Sequence, residues 1–229
     1  MRTFKSLFIA SVLASVLPFS GATFAAVEES DKVADASAVL EKITAIPEQG
    51  IPPALLKDAH GIAVIPGVIK AGFVVGGSYG KGVLSVRDKD GRWSAPLFIT
   101  LKAGSLGWQI GAQSTDVLLV FKTARSVEGI VKGTFTLGAD AAVAAGPVGR
   151  RGEAATDAEL KAEILSYSRS RGLFAGVSLE GSSVSIDYAS NRHFYGKDVR
   201  PAEIMAGNVS VPPAGQKFLG VVNNVTASK

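Results

Sequence analysis

The chain has 229 residues, of which 47% are hydrophobic and 19% charged, and its formal net charge is +4. This length fits one domain with a sizeable core, and so small a charge excludes a protein that wraps a polyanion, so no nucleic-acid partner is expected. The absence of cysteine excludes a disulfide framework, and two histidines without a dense acidic cluster give no reason to expect a metal site or another cofactor.

The first 25 residues have the three parts of a secretory signal peptide. Arg2 and Lys5 give a positive start, residues 7–17 form an apolar run, and small residues surround a cleavage position after Ala25. The run is shorter than the roughly 20 residues that span a bilayer, so a cleaved signal is favoured over a membrane anchor. Without Arg2 and Lys5 the net charge is +2. We expect an exported protein that resides in the periplasm or peripherally on a membrane.

Residues 30–46 carry an apolar stripe at helical spacing, and Pro47 ends the helix. The helix has two possible roles, packing on its own domain or lying on a membrane surface, and the mixed sign of its polar face favours the first. Residues 26–53 are assigned to an N-terminal helix and linker, and residues 54–229 to one domain. The stripe consists of Val33, Ala36, Val39, Leu40, Ile43 and Ile46.

From residue 62 onwards, short β-branched runs alternate with glycine, which is typical of antiparallel strands. Asp88 to Gly91 predicts a hairpin turn, because Asp and Gly tolerate the left-handed conformation. Glycines inside strands are costly unless a sheet bends sharply or backbones approach closely. We expect an α+β fold: a strongly curved, mostly antiparallel, glycine-rich or barrel-like sheet with flanking helices. The predicted strands here are residues 62–65, 72–75, 82–86, 97–101, 108–110 and 117–121.

The second half of the chain predicts three helices and three strands around a small-residue segment at 139–145. Gly146 and Pro147 end that segment, and Pro201 is placed to start a helix. The helices are predicted at residues 124–132, 201–205 and 216–226, and the strands at residues 163–168, 174–180 and 184–188, with a turn at 181–183.

One short motif is similar to that of a serine hydrolase. Residues 76–80 match the pattern G-x-S-x-G, in which Ser78 would be a nucleophile on a strained turn between a strand and a helix. The residues after Gly80 indicate a strand rather than a helix, so Ser78 is interpreted as a turn residue and the chain as a non-enzyme. Gly80-Lys81 also lacks the flanking residues that a phosphate loop needs.

Basic residues recur at predicted turns beside aromatic or apolar groups. Such residues can hold lipid phosphates while neighbouring rings sit at headgroup depth. The alternative is that they are solvated loop charges, since Lys and Arg are mostly exposed in any protein. The candidate lipid-binding residues are Lys70, Lys81, Arg92, Trp93, Trp108, Arg150, Arg151, Arg169 and Arg171.

Five segments, in order, resemble the SYLF domain family. The match runs from about residue 34 to residue 196 and is far more specific than any short motif. The segments are GIAVIPGVIKAG at 61–72, GKGVL at 80–84, GWQIGAQ at 107–113, LGADA at 137–141 and SYSRSRGLFAGVSLEG at 166–181.

This resemblance implies a lipid-binding domain. Eukaryotic members, in endocytic and actin-patch proteins, bind phosphoinositides and some bind actin, whereas bacterial members are envelope proteins; none is implied to be an enzyme. Eukaryotic members use a basic amphipathic N-terminal segment, but the helix here carries Asp31, Asp35 and Glu41, so other anionic phospholipids are expected. The expected function is a non-enzymatic phospholipid-binding module of the bacterial cell envelope, with an anionic phospholipid or membrane surface as partner. The alternatives are a structural or protein-interaction module of the periplasm and, less favoured, a serine hydrolase that uses Ser78.

Overall fold

The computed structural model describes residues 21–45, 50–72, 75–106, 111–149, 161–170 and 173–227. The helices are Gly21–Thr44 (α1), Pro53–Lys57 (α2), Ala124–Val131 (α3), Tyr188–Tyr195 (α4), Pro201–Met205 (α5) and Pro213–Thr226 (α6). The strands are Gly61–Gly72 (β1), Val75–Val86 (β2), Leu97–Leu106 (β3), Gly111–Phe121 (β4), Phe135–Thr136 (β5), Val143–Ala145 (β6), Ile164–Ser170 (β7), Leu173–Gly176 (β8) and Ser183–Ile186 (β9).

These strands form one sheet in the order β5-β9-β3-β2-β1-β4-β7-β6, and β8 also pairs with β7. The sheet is strongly curled into a half-barrel, which confirms the predicted α+β class. The pairs are antiparallel except for β6 with β7. The four longest strands, β1 to β4, lie next to one another at the centre.

A bulge at Pro66 and Gly67 interrupts the central strand β1. The register of β1 shifts at this point against both β2 and β4. Proline has no N–H to donate, so a central strand accommodates it only where the ladder is already broken. Gly67 has a φ of 63°, and its N–H donates to Asp116 Oδ1 at 3.1 Å. The bulge therefore bends β1 without leaving this N–H unpaired.

Glycine in β2 permits this bend. A Cβ atom on Gly82 would collide with the Val64 carbonyl oxygen and lie 2.6 Å from the Ile65 Cα atom. A Cβ atom on Gly80 would lie 2.7 Å from Val68 Cγ2. The two backbones approach too closely here for any side chain, which is the reason the sequence analysis gave for glycines inside strands.

The two sides of the sheet bury separate cores. Ala63 and Ile65 point to one side, the α3 side, where α3 and α5 pack. Ile62 and Val64 point to the other, the α1 side, where α1, α2, α4 and α6 pack. The apolar stripe of α1 from Val33 to Ile43 is buried in this second core, so the helix packs on its own domain, as expected from its mixed polar face. Ile46 lies outside the described residues.

Asn191 joins α4 to the middle of the sheet. Its Oδ1 accepts a hydrogen bond from the Phe98 N–H at 3.0 Å, and its Nδ2 donates to the Phe98 carbonyl at 3.3 Å. The neighbouring Tyr195 hydroxyl donates to the Pro96 carbonyl at 2.7 Å. Phe98 and Phe194 then pack with ring centroids 5.2 Å apart. These contacts fix α4 on the α1 side.

The elements follow the sequence predictions where local signals are strong. Gly91, with a φ of 83°, closes the predicted turn after Asp88, and Arg87 and Trp93 form a bridge across it. The helices predicted at 124–132, 201–205 and 216–226 are present as α3, α5 and α6. The strands β1 to β4 are longer than predicted, and the short strands β5 and β6 and the helices α2 and α4 were missed. The predicted strand at 108–110 lies outside the described residues. No helix in the described ranges is both long and apolar enough to cross a membrane.

Candidate functional site

At one end of the sheet, none of the described helices covers the α1 side. There Lys102, Tyr79, Ile69 and Ser114 form a row across β3, β2, β1 and β4, each opposite the next in the register. Residues directly opposite on antiparallel strands point to the same side. Ile69 is 55% exposed and Tyr79 46% exposed, and Lys102 and Ser114 are also exposed.

The bulge decides which residue of β1 reaches this row. Ile62 and Val64 face the α1 side, so uninterrupted alternation would place Val68 and Lys70 on that side too. The extra residue at the bulge reverses the alternation, so Val68 is buried on the α3 side. Ile69 consequently faces the α1 side, and Lys70 faces the opposite one.

A cation lies on each flank of the apolar pair Ile69 and Tyr79. Lys102 is the neighbour of Tyr79 on β3. On the other flank Arg169 of β7 is half-buried opposite Asp116 of β4, two residues along the strand from Ser114. Asp116 adds a negative charge, and its Oδ1 accepts the Gly67 N–H. We call the surface formed by Lys102, Tyr79, Ile69, Ser114 and Arg169 the open face.

Lys81 points to the same side as Tyr79 but has an internal partner. Its Nζ lies 3.3 Å from Asp187 Oδ2 and donates to Ser190 Oγ at 3.2 Å. Burial acts to lower the pKa of Lys81, but the Asp187 carboxylate outweighs it and the net pKa is raised. Burial likewise acts to raise the pKa of Asp187, but hydrogen bonds from Ser190 and Lys81 lower it overall. Lys81 therefore fastens α4 to the sheet and its charge is compensated.

Five of the nine predicted lipid-binding residues lie in the described ranges, and the structure does not bring these five together. Arg169 belongs to the open face and Lys81 lies beside it. Lys70 is half-exposed on the α3 side, and Arg92 pairs with Asp88 and Asp90 in the turn. The remaining positions, Trp108, Arg150, Arg151 and Arg171, lie outside the described residues.

Trp93 is a core residue, which corrects its assignment to a lipid-contacting rim. Only 9% of its surface is exposed, and its Nε1 donates to Thr226 Oγ1 of α6 at 3.0 Å. The guanidinium of Arg87 lies 4.6 Å from the centre of its ring. The ring is thus held between α6 and Arg87 and has no free face for a lipid.

Ser78 has none of the surroundings of a hydrolase nucleophile. It lies inside β2, paired with Lys70 and Ala103, and β2 continues to Val86. The motif requires a sharp turn followed by a helix. The interpretation of Ser78 as a turn residue is also wrong, because β2 continues through Ser78 and is paired there with both β1 and β3.

Two other kinds of site receive little support. Within the described ranges, no group of three or more His, Asp or Glu side chains could hold a metal ion. A cavity of about 320 Å³ is bordered by Thr136 to Ala139 together with Glu180 and Gly181. The Glu180 carboxylate makes this cavity a poor place for an anionic headgroup, because like charges repel.

Sequence reasoning missed Ile69, Tyr79 and Lys102. For Tyr79 the available signal was the two-residue period of a strand, which places it on the same side of β2 as Lys81. For Ile69 that period gives the wrong side, because it does not count the bulge residue.

The chain is thus an α+β domain whose open face carries exposed apolar side chains between cations. A family model described as Ysc84, Las17-binding protein actin regulator, matches residues 102–225. This is more than half of the chain, and the chain therefore belongs to the Ysc84 family. The resemblance to SYLF domains is confirmed by the same match.

Individual relatives come from yeast and vertebrates. The chain is 41% identical to Protein YSC84 of Saccharomyces cerevisiae over 180 residues, which cover 77% of this chain and 38% of the yeast protein. It is 37% identical to SH3 domain-containing YSC84-like protein 1 of Mus musculus over 197 residues, which cover 83% of this chain and 58% of the mouse protein. The chain thus spans about two fifths to three fifths of these relatives.

These comparisons correct the expected localisation. The relatives are eukaryotic proteins, and the family description is that of an actin regulator. A periplasm is a compartment of bacterial envelopes, so the exported, periplasmic localisation expected from residues 1–25 is contradicted. Those residues include 20 that lie outside the described ranges.

Proposed function

We propose that this chain is a non-enzymatic module that binds anionic phospholipid surfaces. The observation that carries the proposal is the open face, where the exposed pair Ile69 and Tyr79 lies between Lys102 and Arg169. Tyr is amphipathic and favours the headgroup region of a bilayer, and each Lys or Arg near an anionic surface contributes about 1 kcal/mol. Such a surface suits a charged and partly apolar partner.

The non-enzymatic part of the proposal is supported by the relatives. The matched family model is described as a Las17-binding protein and actin regulator, which is the description of a binding protein and not of an enzyme. Ser78, the residue on which a hydrolase would depend, lies within a continuous strand.

Charge must act locally in this protein. The net charge of the whole chain is only +4, so no large field attracts anions from a distance. Lys102 and Arg169 would work within the Debye length, which is about 8 Å at physiological ionic strength. Binding through them is therefore expected to weaken as salt rises.

The test is co-sedimentation with phosphatidylcholine vesicles that contain or lack phosphatidylserine, at low and high salt. Binding should require phosphatidylserine and fall at high salt. Lys102→Ala should weaken it about five-fold, which corresponds to about 1 kcal/mol. Lys89→Ala is the matched control, because Lys89 is also exposed but lies in the turn at the other end of the sheet. Equal binding to both vesicle types, or no binding, would reject the proposal.

A protein partner is the second candidate, favoured by the family description. That description names Las17 and actin for the relatives, and a half-apolar face also suits a protein surface. Co-sedimentation with filamentous actin and capture by purified Las17 test this candidate. Binding to either protein without any vesicle binding would favour it over the phospholipid proposal.

A further inference from the structure

We infer that a bilayer is met by the open face, with Ile69 and Tyr79 entering the headgroup region while α1 stays packed on the sheet. The inference rests on the proposed function and adds the orientation of the protein on the membrane. It decides between two elements that could provide apolar contact, the strand pair β1 and β2 and the amphipathic helix α1.

The apolar stripe of α1 is already occupied. Val33, Ala36 and Leu40 are fully buried against the second core, together with Phe218 and Val222 of α6. To place this stripe in lipid, α1 would have to leave the sheet and expose the apolar residues beneath it to water. A bilayer would then only replace contacts that the folded protein already makes.

The outward side of α1 has the wrong charge for an anionic surface. Glu28, Asp31, Asp35 and Glu41 are exposed there, against the exposed cation Lys42 and the half-exposed Lys32. Negative charges close to an anionic bilayer are repelled over the Debye length. The exposed carboxylates of α1 therefore make its outward side an unfavourable contact for an anionic bilayer.

The open face, in contrast to α1, combines exposed apolar side chains with positive charge. Ile69 and Tyr79 are direct cross-strand partners, so their side chains lie side by side. Lys102 stands next to Tyr79, and its long aliphatic stem lets the ammonium reach phosphate while the neighbouring side chains lie deeper. Arg169 supplies a second cation on the far flank, beside Asp116.

The backbone beneath Ile69 and Tyr79 can also tolerate a dry environment. β1 is paired on both sides, with β2 and β4, and β2 is paired with β1 and β3. Polar backbone groups that enter a bilayer must be satisfied within the protein. Because both residues lie on inner strands rather than at a sheet edge, the backbone on either side of Ile69 and Tyr79 is paired within the sheet.

The chain offers a closely matched pair for the experiment. Val27 of α1 is 56% exposed and Ile69 is 55% exposed, so both are β-branched apolar side chains with the same access to solvent. The chain has no cysteine, so single-cysteine variants carry one label each. Ile69→Cys, Val27→Cys and, in the distant turn, Lys89→Cys are labelled with an environment-sensitive fluorophore.

We expect phosphatidylserine vesicles to shift the emission of the label at position 69 to the blue, with no shift at positions 27 and 89. A shift at position 27, alone or together with 69, would overturn the inference, and so would vesicle binding without a shift at 69. Failure of the unlabelled parent to sediment with the vesicles would instead reject the proposed function.

Unlabelled variants provide an independent reading. Ile69→Ser and Tyr79→Ser should each weaken binding to phosphatidylserine vesicles by about five-fold or more, through lost apolar contact, and Val27→Ser should leave it unchanged. Circular dichroism and thermal unfolding confirm that each variant is folded. Weaker binding of Val27→Ser with unchanged binding of Ile69→Ser would assign the membrane contact to α1.

Discussion

The two ends of the central strands share a backbone but differ in what covers them. Val64 and Ile69 lie five residues apart on β1 and face the same side of the sheet. Val64 is fully buried beneath helices, whereas Ile69 is 55% exposed. A β-branched residue in β1 is therefore part of the core at one end of the strand and part of an exposed surface at the other. The packed helices, not the strand, make this difference.

The largest expected loss of stability comes from a substitution at the end of the sheet that the helices cover. Phe98→Ala should lower the free energy of unfolding by about 3–5 kcal/mol, because it empties a buried site against Phe194. Urea denaturation followed by circular dichroism measures the change. Tyr79→Ala is the comparison at the open end and should change stability by less than about 1 kcal/mol. Equal losses would remove the distinction between the two ends.

The second prediction compares the loss of stability when each of two strand glycines, Gly82 and Gly104, is replaced by alanine. Gly82→Ala should destabilise the protein by about 3 kcal/mol, because the new methyl group collides with the β1 backbone. Gly104→Ala should be neutral within about 0.5 kcal/mol, since a Cβ atom there meets nothing within 4 Å. The same denaturation experiment measures both. A well-tolerated Gly82→Ala would mean that β1 and β2 are not in close contact at the bulge.

The third prediction concerns the pH dependence of stability and the ion pair Lys81–Asp187, which lies between the covered and the open end of the sheet. Hydrogen bonds from Ser190 and Lys81 lower the pKa of Asp187 despite its burial, so the folded pKa is below the unfolded value. The stability from Asp187 is thus complete above about pH 4 and is lost as the pH falls through the folded pKa.

Asp187→Asn should accordingly cost about 1–2 kcal/mol at neutral pH, because it weakens hydrogen bonds to a charged group. The difference from the parent should shrink in acid, as measured by urea denaturation between pH 7 and pH 3. Asp198→Asn is a control, since Asp198 pairs with Arg192 but its side chain is 86% exposed. A difference that stays constant down to pH 3 would contradict the lowered pKa of Asp187.

The smallest effect on stability is expected on the open face itself. Ile69→Ser should change the free energy of unfolding by no more than about 0.5 kcal/mol, because its side chain is largely in water already. A thermal melt beside the vesicle assay measures both properties on one preparation. A loss of several kcal/mol would show that Ile69 is a structural residue.

The sequence predicted those features whose causes are local. The turn at Asp88 depends on its own carboxylate, which accepts the N–H groups of Asp90 and Arg92, and on Gly91. Helix α5 begins at Pro201, where the predicted helix also began. In both cases a few neighbouring residues determine the backbone, so the pattern was sufficient.

The features that depend on distant partners could not be predicted in this way. Trp93 was assigned to a surface because Arg92 precedes it, but its indole N–H bonds to Thr226, which is 133 residues away. Lys81 was assigned to lipid, but it donates to Ser190, 109 residues away. Nothing beside Trp93 or Lys81 in the sequence indicates these partners.

The bulge is an intermediate case. Lys70 was assigned to a predicted turn, but the residues that precede it, Pro66 and Gly67, form a bulge within a strand. A turn would reverse the chain, whereas β1 continues and pairs with β2 and β4 on both sides of the bulge. The one extra residue in β1 exchanged the sides on which Ile69 and Lys70 lie. It thereby changed which residues form the candidate site.

The hydrogen bonds of Asn191 bear on whether another protein chain could pair with β3. Beyond the end of β9, its amide takes the place of a neighbouring strand by accepting from the N–H of Phe98 and donating to its carbonyl. Unpaired groups on a strand next to aromatic side chains are a template on which another chain can add a strand and start an aggregate. The Asn191 amide bonds both backbone groups of Phe98, and the Asp187 N–H also donates to the Phe98 carbonyl, so Phe98 presents no unpaired backbone group on which another strand could add.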